Sequence, residues 1–365
     1  MRSDNFEKFV HANKASGKNW YDGLNGKWWW NMSDNDAIIH MKQSRHKSAI
    51  DSDKIVLVST WGINCGIATY TGYLMDNLDK ISHNSFVVDP INGGTLKYKI
   101  KDGLTHIQHE YGIIPHPPKI KGKVIVTWHT VSNNTNDTVK KFESNYDVVA
   151  HIVHSECARS EIDSSKDIWT IPHGSMLIPE MRKEDARNIL GINKDIPIGF
   201  VFGFQSGDKN YQRLIDAAKN TDIHLIISGA RHSVANPVNI PNETNVTFIN
   251  RFLTENEVNL YALASDILLF DYSGKDHYSV SGALHRIIGS GRPIVCSDVR
   301  HFNDVRHITH CLKFKDQKKL EESIIHALKS SDRLGIAARK YAEKYSWENI
   351  AKKHIVVYKK YSDII

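Results

Sequence analysis

The sequence predicts an α/β protein made of two doubly wound, Rossmann-like halves behind an N-terminal extension. Three observations predict it. Short apolar runs of buried-strand type recur from Lys54 onward. Helical stretches separate several of them, the signature of parallel βαβ units. The alternation pauses once, over a charged stretch at 178–196, and then restarts.

The first 50 residues stand apart. They hold four of the eight tryptophans (Trp20, Trp28, Trp29, Trp30) and eight Lys/Arg against five Asp/Glu, with no clean period. We read residues 1–50 as an aromatic and basic extension. Residues 51–190 form the first half. Lys54–Ser59 reads as a buried strand; a glycine turn follows (Gly62, Gly66), and Ile67, Tyr70, Leu74 and Leu78 recur at helical spacing. Further strands are expected at Ser85–Val88, Thr105–Gln108, Val124–Thr127 and Val148–Val153, with helices at Thr135–Glu143 and Ser155–Ile162. Residues 191–345 form the second half. Strands are expected at Ile198–Phe202, Ile223–Ile227, Val246–Ile249, Ile267–Phe270 and Pro293–Cys296, with helices at Tyr211–Lys219, Glu255–Ala264 and Gly282–Ile288. Residues 346–365 carry Trp347, Ile350, Ala351, Ile355, Tyr358 and Tyr361 on one helical face, which must pack on something. Ligands of doubly wound sheets are expected outside the carboxyl ends of the strands.

A length of 365 residues suits two domains or three, at roughly 100–200 residues each. Hydrophobic residues make up 41% and charged residues 24%, which excludes a disordered, collagen-like or low-complexity chain. No apolar run approaches the roughly 18 residues of a membrane-spanning helix. Met1–Asn5 opens no apolar signal core, so a cytoplasmic protein is expected. Cys65, Cys157, Cys296 and Cys311 are scattered without CxxC spacing, which speaks against a disulfide scaffold or zinc ribbon. The net charge of +6 favours anionic partners without naming one.

Four segments could carry chemistry. Gly203-Phe204-Gln205-Ser206-Gly207-Asp208-Lys209 follows a strand and opens a helix. Its glycines let the backbone approach an anion, and Lys209 adds a point charge at a helix start, a reasonable diphosphate grip. The competing reading is an ordinary βα turn with a surface lysine. Tyr278-Ser279-Val280-Ser281-Gly282-Ala283 is a second strand-to-helix loop, in which Ser281 can cap the helix and Gly282 permits close approach. Two such loops in one half favour a shared nucleotide-diphosphate pocket. Trp61–Tyr70 is a glycine loop without GxGxxG spacing. His106-Ile107-Gln108-His109-Glu110 and Val126-Thr127-Trp128-His129-Thr130 both sit at strand ends. Histidine there can bond a sugar hydroxyl or move a proton, and for His106 a structural role is favoured. The triplets Asp34-Asn35-Asp36 and Asp51-Ser52-Asp53 follow no buried strand, so they read as solvated loop acids rather than metal ligands.

The order of these motifs resembles the GT-B glycosyltransferases, specifically the retaining family GT4. The matching stretches are Gly62–Leu74, Ile107–Gly112, Val124–Thr130, Ile171–Gly174, Gly203–Lys209, Tyr278–Pro293 and Ser346-Trp347-Glu348 through Tyr358, spanning about residues 54–361. The resemblance implies two Rossmann-like domains facing across a cleft, a sugar-nucleotide donor on the second and an acceptor on the first. It implies that Lys209 holds the donor diphosphate, joined by Gly203, Ser279, Ser281, Gly282 and Ala283. Gly62 and Gly66 would border the diphosphate from the opposite half. His129 would sit near the donor sugar, and His109 and Glu110 near the acceptor. The C-terminal helix would cross back to the first half, and neither metal nor cofactor would be required. The chain departs from the pattern in two places. Phe204 stands where many members have an arginine. Tyr278 and Arg286 stand where many have two glutamates, and Arg286 replaces charge only if it points at the donor.

The expected activity is therefore transfer from a nucleotide-diphosphate sugar, UDP-sugar by default, to a hydroxyl with retention. A non-catalytic sugar-nucleotide or glycan-binding protein is the alternative. The acceptor is a lipid carrier or surface glycan, or a hydroxymethylated base in phage-type DNA. The DNA reading rests on Trp28, Trp29 and Trp30 as stacking groups, with Lys42, Arg45 and Lys47 on phosphates. A staple packing the extension onto the first domain explains the same tryptophans.

Overall fold

The structure is a computed structural model. It describes residues 55–60, 65–82, 87–90, 103–110, 120–192, 195–229, 240, 243–274, 277–312 and 316–362. The N-terminal extension, with Trp28, Trp29 and Trp30, and Gly62 and both Asp-x-Asp triplets lie outside these residues.

The chain forms two compact units. Unit 1 takes the described residues up to Pro172, then 277–279 and 347 onward; unit 2 takes 173–276 and 280–346. Unit 1 holds β1 (Val56–Ser59), α1 (Gly66–Ile81), β2 (Val87–Pro90), β3 (Leu104–His109), β4 (Lys123–Trp128), β5 (Thr130–Ser132), α2 (Thr135–Asn145), β6 (Asp147–Val153), α3 (Glu156–Arg159) and β7 (Asp167–Thr170). Its main sheet is parallel throughout, in the order β2-β1-β3-β4-β6-β7.

Alternation along β3 and β4 gives the unit 1 sheet two different faces. Ile107, Val124, Val126 and Trp128 join the apolar cluster that packs on Val139 and Phe142 of α2. The opposite set includes His106, Gln108 and Thr127, all buried. His106 is satisfied by the Tyr358 hydroxyl at 2.7 Å and by Thr127 Oγ1 at 2.7 Å. Tyr358 lies on the last helix, which therefore packs on the polar face.

Unit 2 holds α4 (Lys183–Leu190), β8 (Ile198–Phe202), α5 (Tyr211–Asn220), β9 (His224–Ser228), β10 (Val246–Ile249), α6 (Glu255–Ala264) and β11 (Ile267–Phe270). After β12 (His277–Ser279) it resumes with α7 (Gly282–Ile287), β13 (Ile294–Ser297), β14 (His310–Leu312), α8 (Gln317–Lys329) and α9 (Ser331–Lys344). The sheet order β10-β9-β8-β11-β13-β14, parallel throughout, is the 3-2-1-4-5-6 order of a Rossmann sheet. Both faces are buried, as a parallel sheet under two helix layers requires. Leu268 and Phe270 enter one core cluster, while Ile267 and Leu269 enter the other.

The last helix, α10 (Trp347–Tyr361), belongs to unit 1, where it packs against α1. Its buried face is Trp347, Ile350, Ala351, His354, Val357 and Tyr358. Ile355, expected there, is only half-buried; His354 takes the position because it lies one helical turn from Ile350 and Ala351. Trp347 meets Tyr70 edge-on at 5.0 Å.

Three further expectations are corrected. The boundary between the units falls at Pro172/His173 instead of near residue 190, because the charged stretch folds as α4 on α6. Buried Arg187 of α4 donates to the Ala264 carbonyl at 2.8 Å and pairs with Asp266, which also holds Lys183 at 2.6 Å. The helix expected over Ser155–Ile162 is confined to Glu156–Arg159. Of the strand expected at Ser85–Val88, Ser85 and Phe86 lie outside the described residues, and the described strand runs on from Val87 to Pro90.

Burial holds the side chains of His106, His109, His151 and His354 below the ordinary histidine range, with His109 and His354 at about 4. An unfolded chain binds protons at these sites from about pH 6.5 downward, whereas the folded chain does not. Stability is thus intact above about pH 7 and falls as pH drops toward 4. His109 and His354 should each cost on the order of 2 kcal/mol at pH 5. Urea unfolding at pH 7.5 and 5.0 checks this, and a midpoint unchanged between the two would refute it.

Candidate functional site

In unit 2 the strand order reverses between β8 and β11, and open α/β sheets bind ligands beyond the carboxyl ends at such a point. The chain leaves β8 through Gly203, whose φ is +121°. L side chains rarely adopt that conformation. A Cβ on Gly203 would lie 2.8 Å from Lys209 Nζ and 2.9 Å from Ala283 Cβ. Just beyond β9, a Cβ on Gly229 would collide with the Gly203 carbonyl oxygen. Gln205 Nε2 donates to the Gly229 carbonyl and to Asn250 Oδ1, both at 2.7 Å, lacing together the ends of β8, β9 and β10.

The Gly203–Lys209 loop is also pinned to the end of β11. Lys209 forms an antiparallel bridge with Tyr272. Asn210 N–H donates to the Asp271 carbonyl at 2.9 Å, and Ser273 N–H donates to the Asp208 carbonyl at 2.6 Å. The buried Asp271 carboxylate accepts from Asn210 Nδ2 at 3.1 Å and lies 2.9 Å from Arg213 Nε. Burial pushes this carboxyl above its ordinary range, against the pull of Asn210 and Arg213.

Lys209 is partly exposed as a residue, but its ammonium turns inward. It donates to the Phe204 carbonyl at 2.6 Å and sits 5.6 Å from the centre of the Tyr272 ring. Burial lowers its pKa to about 8, with Asp208 pulling the other way. Next to it, Ser281 caps α7 by accepting from the Leu284 N–H at 3.3 Å, and its Oγ lies 3.2 Å from the Tyr272 hydroxyl. Gly203, Lys209, Ser281, Gly282 and Ala283 are thus brought together. The product is a partly dehydrated cation beside bare backbone, which suits a phosphate-like anion.

Other candidates fall elsewhere. Arg286 points away from this group: it donates to Asn259 Oδ1 at 2.9 Å and to the Glu255 carbonyl at 3.1 Å, and pairs with the Glu255 carboxylate at 3.2 Å. Its charge is committed to α6. Ser279 belongs to unit 1, where it pairs with Thr130 in the β12–β5 ribbon. Gly66 opens α1 on an exposed turn with open space around it. His109 is buried, its ring 4.5 Å from Trp128 and 5.3 Å from Phe142, so it is a core residue and not an acceptor contact.

Unit 1 carries its own polar group beyond β3, β4 and β6. His129 Nε2 lies 2.9 Å from Gln108 Oε1, and its Nδ1 lies 3.2 Å from His154 Nε2. His154 Nδ1 donates to the Ile171 carbonyl at 3.0 Å, and Tyr70 stands edge-on to His129 at 4.7 Å. Thr130 Oγ1 donates to Glu110 Oε2 at 2.8 Å. His154, Asp271 and Tyr272 were not among the sequence candidates, although His154 and Asp271 directly follow buried strands and Tyr272 comes one residue later. Among the described residues, no group of three or more His, Cys, Asp or Glu side chains is placed to hold a metal, and no helix is long and apolar enough to cross a membrane.

No protein-family model matches the chain, and no curated protein matches it in sequence. Solved structures do match. A sucrose-phosphate synthase from Thermosynechococcus elongatus aligns over 84% of this chain and 98% of its own, at 15% identity and a TM-score of 0.58. A glycosyltransferase from Rickettsia africae aligns over 85% and 99%, at 12% identity and a TM-score of 0.64. Anabaena HepE, solved with UDP and glucose, aligns over 84% and 99%, at 11% identity and a TM-score of 0.59. The fold is that of the GT-B glycosyltransferases. The likeness spans nearly the full length of each neighbour, so both units of the GT-B fold are represented in this chain.

An anion held by the Lys209 ammonium needs the lysine protonated. Affinity for a nucleoside diphosphate should hold steady below about pH 8 and then weaken by up to about tenfold per pH unit. Lys209→Arg, which stays charged, should flatten the profile. Titration calorimetry with UDP between pH 7 and 9.5 checks this, and a level wild-type profile would refute it.

Proposed function

We propose that the protein is a glycosyltransferase that moves a sugar from a nucleoside-diphosphate sugar, by default a UDP-sugar, to a hydroxyl acceptor with retention. The observation that carries the proposal is the inward-turned Lys209 ammonium at the switch point of a Rossmann sheet, against Gly203 and Ala283. The likeness in fold to glycosyltransferases, one of them solved with UDP-glucose, supports it.

In the proposed reaction the bond between the anomeric carbon and the diphosphate oxygen breaks. The acceptor oxygen bonds to the same face of that carbon, and the acceptor proton leaves with the diphosphate. Negative charge grows on the departing diphosphate as the bond lengthens. In this proposal Lys209, held inward on the Phe204 carbonyl and stripped of much of its water, stabilises that charge. His129 is held through both ring nitrogens, by Gln108 and His154, so a part for it in turnover requires one of these bonds to be exchanged for a substrate hydroxyl. No metal enters this proposal, since the ammonium supplies the positive charge. The acceptor is a lipid carrier or surface glycan, or a hydroxymethylated base in DNA.

Nucleotide release from UDP- and GDP-sugars, with and without hydroxymethylcytosine DNA or a lipid-linked acceptor, tests the proposal. Release that rises with one acceptor identifies it, and the anomeric coupling in the product reports retention. Lys209→Ala should lower kcat by about 10²–10³, equivalent to about 3–4 kcal/mol. His129→Ala should lower turnover while the fold persists, and a variant that fails to fold would mark His129 as structural. Donor binding without turnover under any condition would instead mark a non-catalytic sugar-nucleotide-binding protein.

A further inference from the structure

The Lys209 loop follows the carboxyl end of β8. At the other end of the same parallel sheet, before the amino ends of β11 and β13, unit 2 carries a cleft of about 480 Å³. Its walls are the segment ahead of α4, the last turn of α6, the turn before β13 and the middle of α9. The turn sits tight against α9. Gly291 has a φ of +68°, and a Cβ on Gly335 would collide with the Gly291 carbonyl oxygen. A cleft of this volume suits a small molecule.

Three arginines, Arg182, Arg292 and Arg339, meet one acid, Glu180, in its lining. Arg182 is spent on Asp185 in a bidentate pair, both bonds 2.8 Å. The other two are set by backbone. Arg339 Nη1 donates to the Ile178 carbonyl at 2.5 Å and to the Gly289 carbonyl at 2.7 Å. Arg292 Nη2 donates to the Leu263 carbonyl at 2.6 Å. A carbonyl fixes a guanidinium without neutralising it. Arg339 has carboxylates at the edge of reach, Glu343 at 3.5 Å and Glu180 at 4.0 Å. Arg292 is half-buried and, among the described residues, forms no ion pair. Burial holds its pKa below the ordinary arginine range; Asp266 and Glu184 pull the other way from beyond ion-pair distance, and Arg187 adds to the effect of burial. Its Nε is shut from water without an acceptor, as is Ser290 Oγ, whereas its Nη1 is neither shut off nor bonded. A half-buried guanidinium held in place with no anion is half of an ion pair.

We propose that this cleft binds a small molecule through a phosphate or carboxylate group that accepts from Nη1 and Nη2 of Arg292. Two parallel N–H groups on one edge of a guanidinium match two oxygens of such a group. Arg339, across the turn, adds a second positive charge. Glu180 is the acid that opposes the ligand; its side chain is 89% exposed, so it swings into water without disturbing the core. Met181 and Ile336, both exposed, give the body of the ligand an apolar wall. The site lies at the opposite end of the strands from the proposed nucleotide site and does not rest on that reading.

The probes are inorganic phosphate and acetate at millimolar concentration, with ionic strength held constant by sodium chloride. The thermal midpoint is followed for the full chain as wild type, Lys209→Ala, Arg292→Gln and Ile336→Glu. One or both anions should raise the midpoint by a few degrees in the wild type and in Lys209→Ala, since a ligand of the folded state stabilises it. The rise should vanish in Arg292→Gln and in Ile336→Glu, which places a negative charge at the rim. Which anion acts separates a phosphate ligand from a carboxylate one. An equal rise in all four chains would be a general salt effect and would overturn the proposal. A rise lost in Lys209→Ala but kept in Arg292→Gln would put the anion at the Lys209 loop alone, overturning the proposal and leaving the nucleotide reading standing. No rise with either anion would overturn it as well. If Arg292→Gln fails to fold, Ile336→Glu, at a residue 57% exposed, carries the comparison.

Discussion

The Lys209 ammonium lies 2.6 Å from the Phe204 carbonyl at the carboxyl end of β8, where burial holds its pKa near 8. Removing a cation from water is costly unless the surroundings repay it. Here one carbonyl, the Tyr272 ring and the counter-charge of Asp208 repay only part. The position persists because the surrounding loop is over-determined. Gly203 makes the space, Gln205 ties the loop to β9 and β10, and Asn210 and Ser273 tie it to β11. Under the proposed function, a diphosphate seated there would supply the missing compensation.

Unit 1 treats its polar groups differently. The interior face of its sheet carries His106, Gln108, Thr127 and His129, and α1 and α10 cover it with Tyr70, His354 and Tyr358. Burial holds His106 and His354 below the ordinary histidine range, so proton uptake opposes folding there. The network also holds the half-buried His129 ring just after β4 in a fixed orientation. Trp347 and Tyr358 of α10 complete it, which is why the last helix belongs to unit 1 and not to the sheet that precedes it in sequence.

Much of this was legible in the residues. The strands Val246–Ile249 and Ile267–Phe270 and the helix Glu255–Ala264 fall where their periodicity places them, because each is a local pattern with sharp ends. Thr254 closes a capping box with Glu257 at the start of that helix. The helix α4 was not legible. Its charges look like a linker until Asp266, 79 and 83 residues later, pairs with Arg187 and Lys183. The ribbon of β5 and β12 joins residues 130–132 to 277–279, and two three-residue strands so far apart carry no local signal. For the site, the glycines and Lys209 were readable as a strand–loop–helix pattern. The fate of Arg286 was not, because it depends on Glu255 and Asn259 one helix away.

The central claim is that a nucleoside diphosphate seats on the Gly203–Lys209 loop of unit 2. Backbone hydrogen exchange with and without saturating UDP tests it most directly, since it reports location independently of turnover. The account predicts slowed exchange confined mainly to 203–210 and 282–285, where the loop amides and the first turn of α7 surround the ammonium. Protection that appears only in unit 1, or none at saturation, would contradict it.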